Sequence, residues 1–325
     1  MNKLDCITVG DVTIDWFLQI ADENMGIEAR DDLISIRSGG KILVDKSSFC
    51  TGGNAFNVAV GLSRLGLNTS ICAEMGDDSF SQIITKTLLN EKIDTSLIIQ
   101  SRAETSFAVG LQVKKDRTLF VHHVIREHNF SFSNISAKWI YLSSIGEHWR
   151  NAYEKTIKFA SENNTMIAFN PGSLQLKDLR FVRDIIAKSS IVFLNEDEAC
   201  LITENKNNND MNKIINQILD YGPKSISITS GNKGSYYANK NGDRFSIQPF
   251  PCIIVEKTGA GDSYASGFLS AIIKNNSPRD AMRWGSINAA SVIEKIGAQE
   301  GLMTQKNIED SLSMHHEFQA KEIKL

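Results

Sequence analysis

One short stretch of the sequence combines the residue types that can hold an anion and accept a proton. It is Thr258-Gly259-Ala260-Gly261-Asp262, and apolar residues then recur from Tyr264 to Ile272 with the period of one helix face. Gly259, Ala260 and Gly261 would therefore lie at a helix N-terminus, where N–H groups and the helix dipole favour an anion such as a phosphoryl group. Asp262, in the same place, suits a general base that takes a proton from an attacking hydroxyl.

A purely structural explanation exists for the same residues. Aspartate is common at the start of helices, and glycine-rich turns are ordinary connectors before helices. The five residues taken alone are compatible with a catalytic turn and with a simple connection. The choice between them depends on the rest of the chain.

Two other stretches place polar groups beside predicted element ends. Residues 6–10 have the pattern of a short buried strand, and polar groups just past such a strand lie at the usual ligand crevice of an open α/β sheet. Asp15 could there accept hydrogen bonds from two neighbouring hydroxyls of a polyol, or it could cap a turn. Gly52 and Gly53 precede a strong helical pattern, so they could admit a ligand to the backbone beside the Asn57 amide, or simply start the helix.

Composition and charge exclude several classes of function. The chain has 325 residues, of which 42% are hydrophobic and 22% charged, and this is ample for a large core. A net charge of −3 without a basic run gives no support for binding to nucleic acid or to a membrane surface. No signal peptide or membrane-spanning run is recognisable, so we expect a cytoplasmic protein. Five scattered cysteines without a C-x-x-C pair, and six histidines without H-E-x-x-H, argue against a disulfide framework and a zinc site.

Short apolar runs alternate with helical patterns from residue 138 onward, which is typical of a parallel sheet covered on both faces. These runs lie at 139–142, 166–169, 191–194 and 225–229, with a helical stretch at 151–163. Earlier in the chain, 107–111 and 118–121 alternate as two strands around a turn at 114–117. Residues 20–50 are polar and dotted with glycine, so they are expected to form part of a cover or lid.

The C-terminal half shows no clean domain boundary. The Asn-rich tract 205–212 is expected to be a solvent loop, and the last twenty residues are expected to form a terminal helix. No internal repeat or Pro/Ser-rich linker divides the chain. We therefore expect one domain over residues 1–325.

The order of four motifs along the chain is more informative than any one of them. Gly-Asp-x-x-x-Asp begins at Gly10, Gly-Gly-x-x-x-Asn at Gly52, Gly-Asp-Asp-x-Phe at Gly76, and Thr-Gly-Ala-Gly-Asp at Thr258. This order resembles the ribokinase-like (PfkB-type) carbohydrate kinase family over roughly residues 5–305. The resemblance implies a three-layer α/β/α sandwich with a mostly parallel central sheet. It also implies a small β lid, built here from parts of about 12–50 and 100–130.

The resemblance implies transfer of a phosphoryl group from ATP, with Mg²⁺, to a hydroxyl of a small sugar. Asp262 aligns with the family's catalytic base and Gly259 to Gly261 with its anion hole. The residues expected at the acceptor are Asp15, Gly52, Gly53, Asn57 and Asn129. Those expected at the nucleotide are Asn195, Glu198, Thr229, Gly231, Gly234 and Asn288, with Glu198 also acting indirectly on Mg²⁺. The family often forms dimers through its lid, so a homodimer is a further expectation.

Three positions depart from the family pattern. Glu256 stands where the family signature usually begins with Asp, a residue that often helps to hold a monovalent cation, so K⁺ dependence stays open. Asn170-Pro171-Gly172 replaces the usual Asp-Pro-Asn, which removes a carboxylate from that place. Asn54 stands where ribokinases typically carry Lys, and this argues against ribose as the acceptor.

Other functions are considered beside the sugar kinase. A dinucleotide-dependent oxidoreductase needs G-x-G-x-x-G after the first strand, and a Walker-type kinase needs G-x-x-x-x-G-K-[ST]; the sequence contains neither at those places. A nucleoside kinase of the same family and a non-catalytic sugar or nucleotide sensor on the same fold stay open. Because a sensor would be expected to lose the base, the presence of Asp262 favours an enzyme.

Overall fold

The computed structural model describes residues 3–21, 26–30, 33–113, 116–205 and 210–323. The predicted turn at 114–117 and the predicted loop at 205–212 fall partly outside these residues. Within them the strands are β1 (Lys3–Val9), β2 (Thr13–Ile20), β3 (Ile27–Arg30), β4 (Leu33–Ile36), β5 (Val44–Gly52), β6 (Thr69–Met75), β7 (Ile98–Gln100), β8 (Phe107–Val113), β9 (Asp116–His122), β10 (Ser136–Leu142), β11 (Met166–Phe169), β12 (Ile191–Asn195), β13 (Ser225–Thr229), β14 (Ser235–Asn239), β15 (Arg244–Ile247) and β16 (Lys321–Glu322). The helices are α1 (Asn54–Arg64), α2 (Ser79–Asn90), α3 (Trp149–Glu162), α4 (Leu179–Ile186), α5 (Glu196–Thr203), α6 (Met211–Asp220), α7 (Ala260–Ile273), α8 (Pro278–Ile293) and α9 (Gln305–Met314).

The central sheet has the strand order β16-β15-β14-β13-β12-β11-β10-β1-β6-β7. Its strands from β7 to β13 pair in parallel, and β14, β15 and β16 extend it with antiparallel pairs. The parallel part requires crossover connections, and helices supply most of them. The predicted mostly parallel central sheet is confirmed.

Strand β12 shows why this sheet is covered on both faces. Successive side chains of a strand point to opposite faces. Val192 and Leu194 belong to the apolar cluster that contains residues of α3, α4, α5 and α6, whereas Ile191 and Phe193 belong to the cluster that contains residues of α7 and α8. A strand buried on both faces is apolar throughout, which is the pattern that the sequence shows. The predicted α/β/α layering is thereby explained.

A second, four-stranded sheet has the order β5-β2-β8-β9. Its strands lie in the two stretches of the chain from which a lid was expected. Strand β2 pairs in parallel with β8, while the pairs β2–β5 and β8–β9 are antiparallel. The separate hairpin of β3 and β4 lies between β2 and β5 in the chain.

The C-terminal end differs from the predicted terminal helix. Helix α9 ends at Met314, so Ile308 and Leu312 lie on it but Phe318 does not. The Arg283 side chain donates to the Phe318 carbonyl at 2.6 Å, and the chain then adds β16 to the edge of the central sheet beside β15. Among the described residues, no helix is long and apolar enough to cross a membrane.

Candidate active site

The N-terminus of α7 is formed by the glycine turn that the sequence singled out. Gly259 is the N-cap residue and has a φ of 77°, and a Cβ at this position would be 2.5 Å from the Cβ of Ala298. Only glycine fits such a left-handed and crowded position without strain. Gly259, Ala260 and Gly261 line a cavity of about 580 Å³. The turn therefore presents the positive end of a 14-residue helix to the cavity.

Asp262 lies in the first turn of α7 and also lines the cavity, although it is only 7% exposed. The Asn57 side chain of α1 donates from Nδ2 to Oδ2 of Asp262 at 2.8 Å. Burial raises the pKa of Asp262 to about 7, the charge of Glu198 acts in the same direction, and the bond from Asn57 opposes them. A carboxyl group with this pKa can both accept and release a proton near neutral pH.

The paired glycines bring α1 and Asp15 to the same cavity. Gly53 is the N-cap of α1 with a φ of 100°, and a Cβ there would overlap the Asp11 carbonyl oxygen. Gly52 lies directly behind Asp15, since a Cβ at position 52 would overlap the Asp15 carboxylate. Asp15, Gly53 and Asn57 line the cavity, whereas Gly52 supports it from behind.

The cavity lies between the carboxyl ends of central strands and the second sheet. Asn195 and Thr229 end β12 and β13, and both line it. Asn195 and Glu198 cap the start of α5 reciprocally: the Glu198 N–H donates to the Asn195 Oδ1 at 2.8 Å, and the Asn195 N–H donates to the Glu198 Oε2 at 2.9 Å. Glu198 lines the cavity too, and burial raises its pKa. Asn195 and Glu198, which were both expected near the nucleotide, therefore form one hydrogen-bonded cap at the start of α5.

The structure does not bring Asn288 to the cavity lining. This side chain is fully buried, and its Nδ2 donates to the Ser263 carbonyl at 2.8 Å and to the Ser266 hydroxyl at 3.2 Å. Its Oδ1 accepts from the Met303 N–H at 3.0 Å. Because the amide is used on both sides, Asn288 joins α7 and α8 to the following loop, and its expected contact with the nucleotide stays a prediction.

Asn129 is also outside the cavity. It is exposed, and its Oδ1 accepts from Asn151 and Lys155 of α3 at 3.4 and 3.3 Å. Asn129 therefore contacts α3 at the surface, and its expected contact with the acceptor stays a prediction. The neighbouring His128 is buried beside Glu74. Burial lowers the pKa of His128 to about 4.

The remaining expected residues, Gly231, Gly234 and Glu256, are not among those that line the cavity. Gly231 and Gly234 form the turn between β13 and β14, and Gly234 closes it against Ile247. Glu256 accepts a hydrogen bond from the Gly297 N–H at its Oε2, at 2.9 Å. This bond joins the segment before the glycine turn, here also called the anion turn, to the loop after α8.

Two side chains that the sequence did not single out belong to the site. Asp11 follows β1, lines the cavity and accepts the Gly146 N–H at 3.2 Å; burial raises its pKa to about 7. Its position after a strand could have identified it by the same reasoning as Asp15. Gln299 donates to the Oδ1 of Asn57 at 3.0 Å. No local pattern could have found this contact, because the two residues are 242 positions apart.

Solved structures with the same fold include a nucleoside kinase of Methanocaldococcus jannaschii, with a TM-score of 0.75, 23% identity and coverage of 97% of this chain and 100% of that chain. The ribokinase of Thermotoga maritima gives a TM-score of 0.78 at 19% identity, with 95% of this chain and 99% of that chain covered. The ribokinase of Arabidopsis thaliana, complexed with ribose and ATP, gives 0.77 at 16% identity over 95% and 98%.

Curated relatives cover nearly the whole chain. A 5-dehydro-2-deoxygluconokinase of Clostridium beijerinckii is 26% identical over 344 residues, covering 97% of this chain and 95% of the relative. The enzyme of the same name from Clostridium tetani is 27% identical over 93% of this chain and 90% of the relative. The family model described as pfkB family carbohydrate kinase matches residues 22–305. With the anion turn, the buried Asp262 and the ribokinase fold in place, the chain belongs to the pfkB family of carbohydrate kinases.

Proposed function

We propose that this carbohydrate kinase transfers the terminal phosphoryl group of ATP to a hydroxyl of a small sugar, with Asp262 as the general base. The observation that carries the proposal is the buried Asp262 carboxylate, held by Asn57 beside the N-terminus of α7 in the wall of the cavity. The acceptor lies between Asp15 and Asp262, so that its hydroxyl reaches the base. The nucleotide phosphates extend from the α7 turn toward Asn195 and Glu198.

Asp262 and the α7 turn act together in the transfer step. Asp262 accepts the proton of the attacking hydroxyl, while the N–H groups of Gly259, Ala260 and Gly261 stabilise negative charge on the transferring group. The Ala260 N–H donates to the Lys257 carbonyl at 3.3 Å, a long bond that an incoming phosphoryl oxygen can replace. Because this chemistry needs little covalent participation, positioning and electrostatics supply most of the catalysis.

Oxygen donors near the expected phosphates suit Mg²⁺. The Glu198 carboxylate lines the cavity and uses Oε2 in the cap of α5, so Oε1 can orient water on a metal ion. Bound Mg²⁺ would neutralise charge on the nucleotide phosphates. For a monovalent cation the candidate is Glu256, which already accepts the Gly297 N–H. Activity measured in K⁺ and in an equal concentration of a bulky organic cation tests whether Glu256 supports such a site.

The charges at the acceptor end favour a neutral sugar or nucleoside over a sugar acid. Asp11 and Asp15 both line this end, together with Thr13 and Asn54. Among the described side chains in the lining, the basic ones are Lys257, beside the anion turn, and His123, whose pKa is lowered by burial and by His122. A carboxylate on the acceptor would therefore face the Asp15 carboxylate and the ionised fraction of Asp11, which is unfavourable. The curated relatives are named for a gluconate-type acceptor, and this chain is proposed to differ from them.

A coupled assay of ADP release tests the proposal. Mg-ATP is offered with neutral sugars, nucleosides and sugar acids, using the wild type, Asp262→Asn, and the control Asp184→Asn on the exposed side of α4. Loss of the general base is expected to lower kcat by about 10²–10⁴-fold, whereas the control keeps the wild-type rate. Near-normal turnover by Asp262→Asn would contradict the assignment of Asp262 as the general base. ATP binding without turnover on any acceptor would favour a sensor.

The second sheet is proposed to act as a lid and as a dimer interface. Its apolar side chains that remain exposed are Trp16, Val44, Phe49, Leu119, Phe120 and Val121. Leu119 and Val121 line the cavity, whereas Trp16, Phe49 and Phe120 lie on the opposite face of the sheet. Exposed apolar side chains on such a face often mark an interaction surface. The molar mass measured by light scattering, compared between the wild type and Phe120→Lys, tests this proposal; a monomeric wild type contradicts it. The cytoplasmic location stays a prediction from the sequence.

A further inference from the structure

A continuous chain of buried hydrogen bonds leads from the second sheet to Asp262. The Thr51 hydroxyl of β5 donates to Oε1 of Gln299 at 2.7 Å, and Nε2 of Gln299 donates to Oδ1 of Asn57 at 3.0 Å. Nδ2 of Asn57 then donates to Oδ2 of Asp262 at 2.8 Å. All four side chains are at most 9% exposed. We call these residues, Thr51, Gln299, Asn57 and Asp262, the relay.

The relay has a defined polarity when Asp262 is ionised. A carboxylate can only accept, so Asn57 must present its NH₂ group to Asp262 and its carbonyl to Gln299. Gln299 must then donate with its NH₂ group, which leaves its carbonyl for the Thr51 hydroxyl. Each amide is therefore held in the one orientation that stabilises the charged form of Asp262. Oδ2 is occupied, and Oδ1 is left for the proton of the acceptor.

Gln299 is itself firmly placed. Its backbone carbonyl accepts from Arg64 at 2.8 Å, and Arg64 forms an ion pair with Glu91 at 2.7 Å. Thr51 lies one residue before Gly52 and pairs with Ile14 of β2, next to the residue Asp15 that faces the acceptor. The relay thus connects the second sheet with Asp262 on α7, and its first two members, Thr51 and Gln299, are not among the residues that line the cavity.

We propose that Gln299 and Thr51 are positioning residues of phosphoryl transfer, which orient the Asn57 amide and thereby keep Asp262 ionised and correctly directed. The inference rests on the proposed role of Asp262 as the base. Other groups that act on Asp262 are Glu198 of α5 and Tyr141 of β10, with Lys257 and Asp15 in the same cavity. These groups are unchanged when the relay is cut, so a change in the titration of Asp262 reports the relay.

The test compares Thr51→Val, which removes the hydroxyl at constant shape, and Gln299→Met with the wild type. Each variant is expected to shift the acid limb of the kcat–pH profile to higher pH by about 0.5–1 pH unit, which corresponds to the loss of one hydrogen bond in a network. At pH 6 this lowers kcat by roughly 3–10-fold, and the curves converge at high pH. KM for both substrates stays close to the wild-type value, and Thr51→Ser, which keeps the donor, restores the profile.

A matched control and a second readout make the result decisive. Thr165→Val removes another buried hydroxyl, which donates to the Ala137 carbonyl at 3.0 Å outside the cavity lining, and it should leave the acid limb in place. The difference in Tm from the wild type should also grow between pH 5 and pH 8 for the relay variants, because the ionised Asp262 is the form that they destabilise. Unchanged acid limbs and pH-independent Tm differences would overturn the proposal. Since the Tm readout needs no turnover, a failed kinase assay and a failed relay are distinguishable.

Discussion

Replacing Asn57 by leucine removes the amide that donates to Asp262 while keeping a side chain of similar volume. In the wild type the bond from Asn57 opposes the effects of burial and of Glu198 on the pKa of Asp262, which lies at about 7. In Asn57→Leu the carboxylate keeps the burial and the repulsion but loses its donor. We therefore expect its pKa to rise and its ionised fraction at neutral pH to fall.

The size of the effect follows from the strength of the lost bond. A hydrogen bond to a charged group is worth about 1.5–3 kcal/mol, and one pKa unit corresponds to about 1.36 kcal/mol, so the pKa should rise by roughly 1–2 units. Starting from a pKa of about 7, the base is about half ionised at pH 7 in the wild type. In Asn57→Leu only about 1–10% of it would be ionised, which lowers kcat at pH 7 by roughly 5–50-fold.

The assay is the kcat–pH profile of Asn57→Leu beside that of the wild type, between pH 5.5 and pH 10, at saturating ATP and acceptor. The difference in kcat between Asn57→Leu and the wild type should shrink as the pH rises and largely disappear at the alkaline end. The shift should also exceed that of Gln299→Met, since Asn57 touches the base directly. A deficit of the same size at every pH would refute the reasoning, because it would mean that Asn57 does not act through the ionisation of Asp262.

Three further predictions follow from the same structure. Asp262→Asn should be more stable than the wild type at pH 8 but equally stable at pH 4. The pKa of Asp262 in the folded protein, about 7, lies above the unfolded value of 3.8, so the wild type loses stability as the pH rises between these values. Measurements of Tm across this pH range test the prediction. Gly259→Ala should lower kcat and should reduce the free energy of unfolding by about 1–3 kcal/mol, because an alanine there combines a φ of 77° with a clash at Ala298. A wild-type free energy of unfolding in urea would contradict this prediction. Asn288→Leu should cost about 1–3 kcal/mol, because it leaves the Met303 N–H without its acceptor and takes one of two side-chain donors from the Ser263 carbonyl. KM for ATP should stay unchanged; a raised KM with a normal Tm would instead support a nucleotide contact.

Several residues could be assigned from the sequence because their signals are local. The run Thr258 to Asp262 combines small residues with a helical period behind it, and the structure places it at the N-terminus of α7. Asp15 was expected just past the first buried strand; it lies on β2 of the second sheet and lines the cavity from there. The rule for the carboxyl ends of buried strands applies more directly to Asp11, which follows β1, although Asp15 was the residue predicted from the sequence.

For other residues, motif alignment says nothing about which way the side chain points. Asn288 and Asn129 both stand at family positions, yet one amide is used within α7, α8 and the loop at Met303, and the other faces α3. His128 lies in a segment without helix or strand, yet the fold buries its ring beside Glu74. Side-chain direction in these cases depends on neighbours that are distant in the sequence.

The sequence by itself determined the layered α/β fold, the glycine turn and the family, because apolar periodicity and short motifs act over a few residues. Only the tertiary structure decided the surroundings of the Asp262 carboxyl group. Asn57, Gln299 and Asp262 come from three separate parts of the chain, and their hydrogen bonds form only when α1, α7 and the loop after α8 pack together. The raised pKa of Asp262 has the same origin, since burial and the charge of Glu198 exist only in the folded protein.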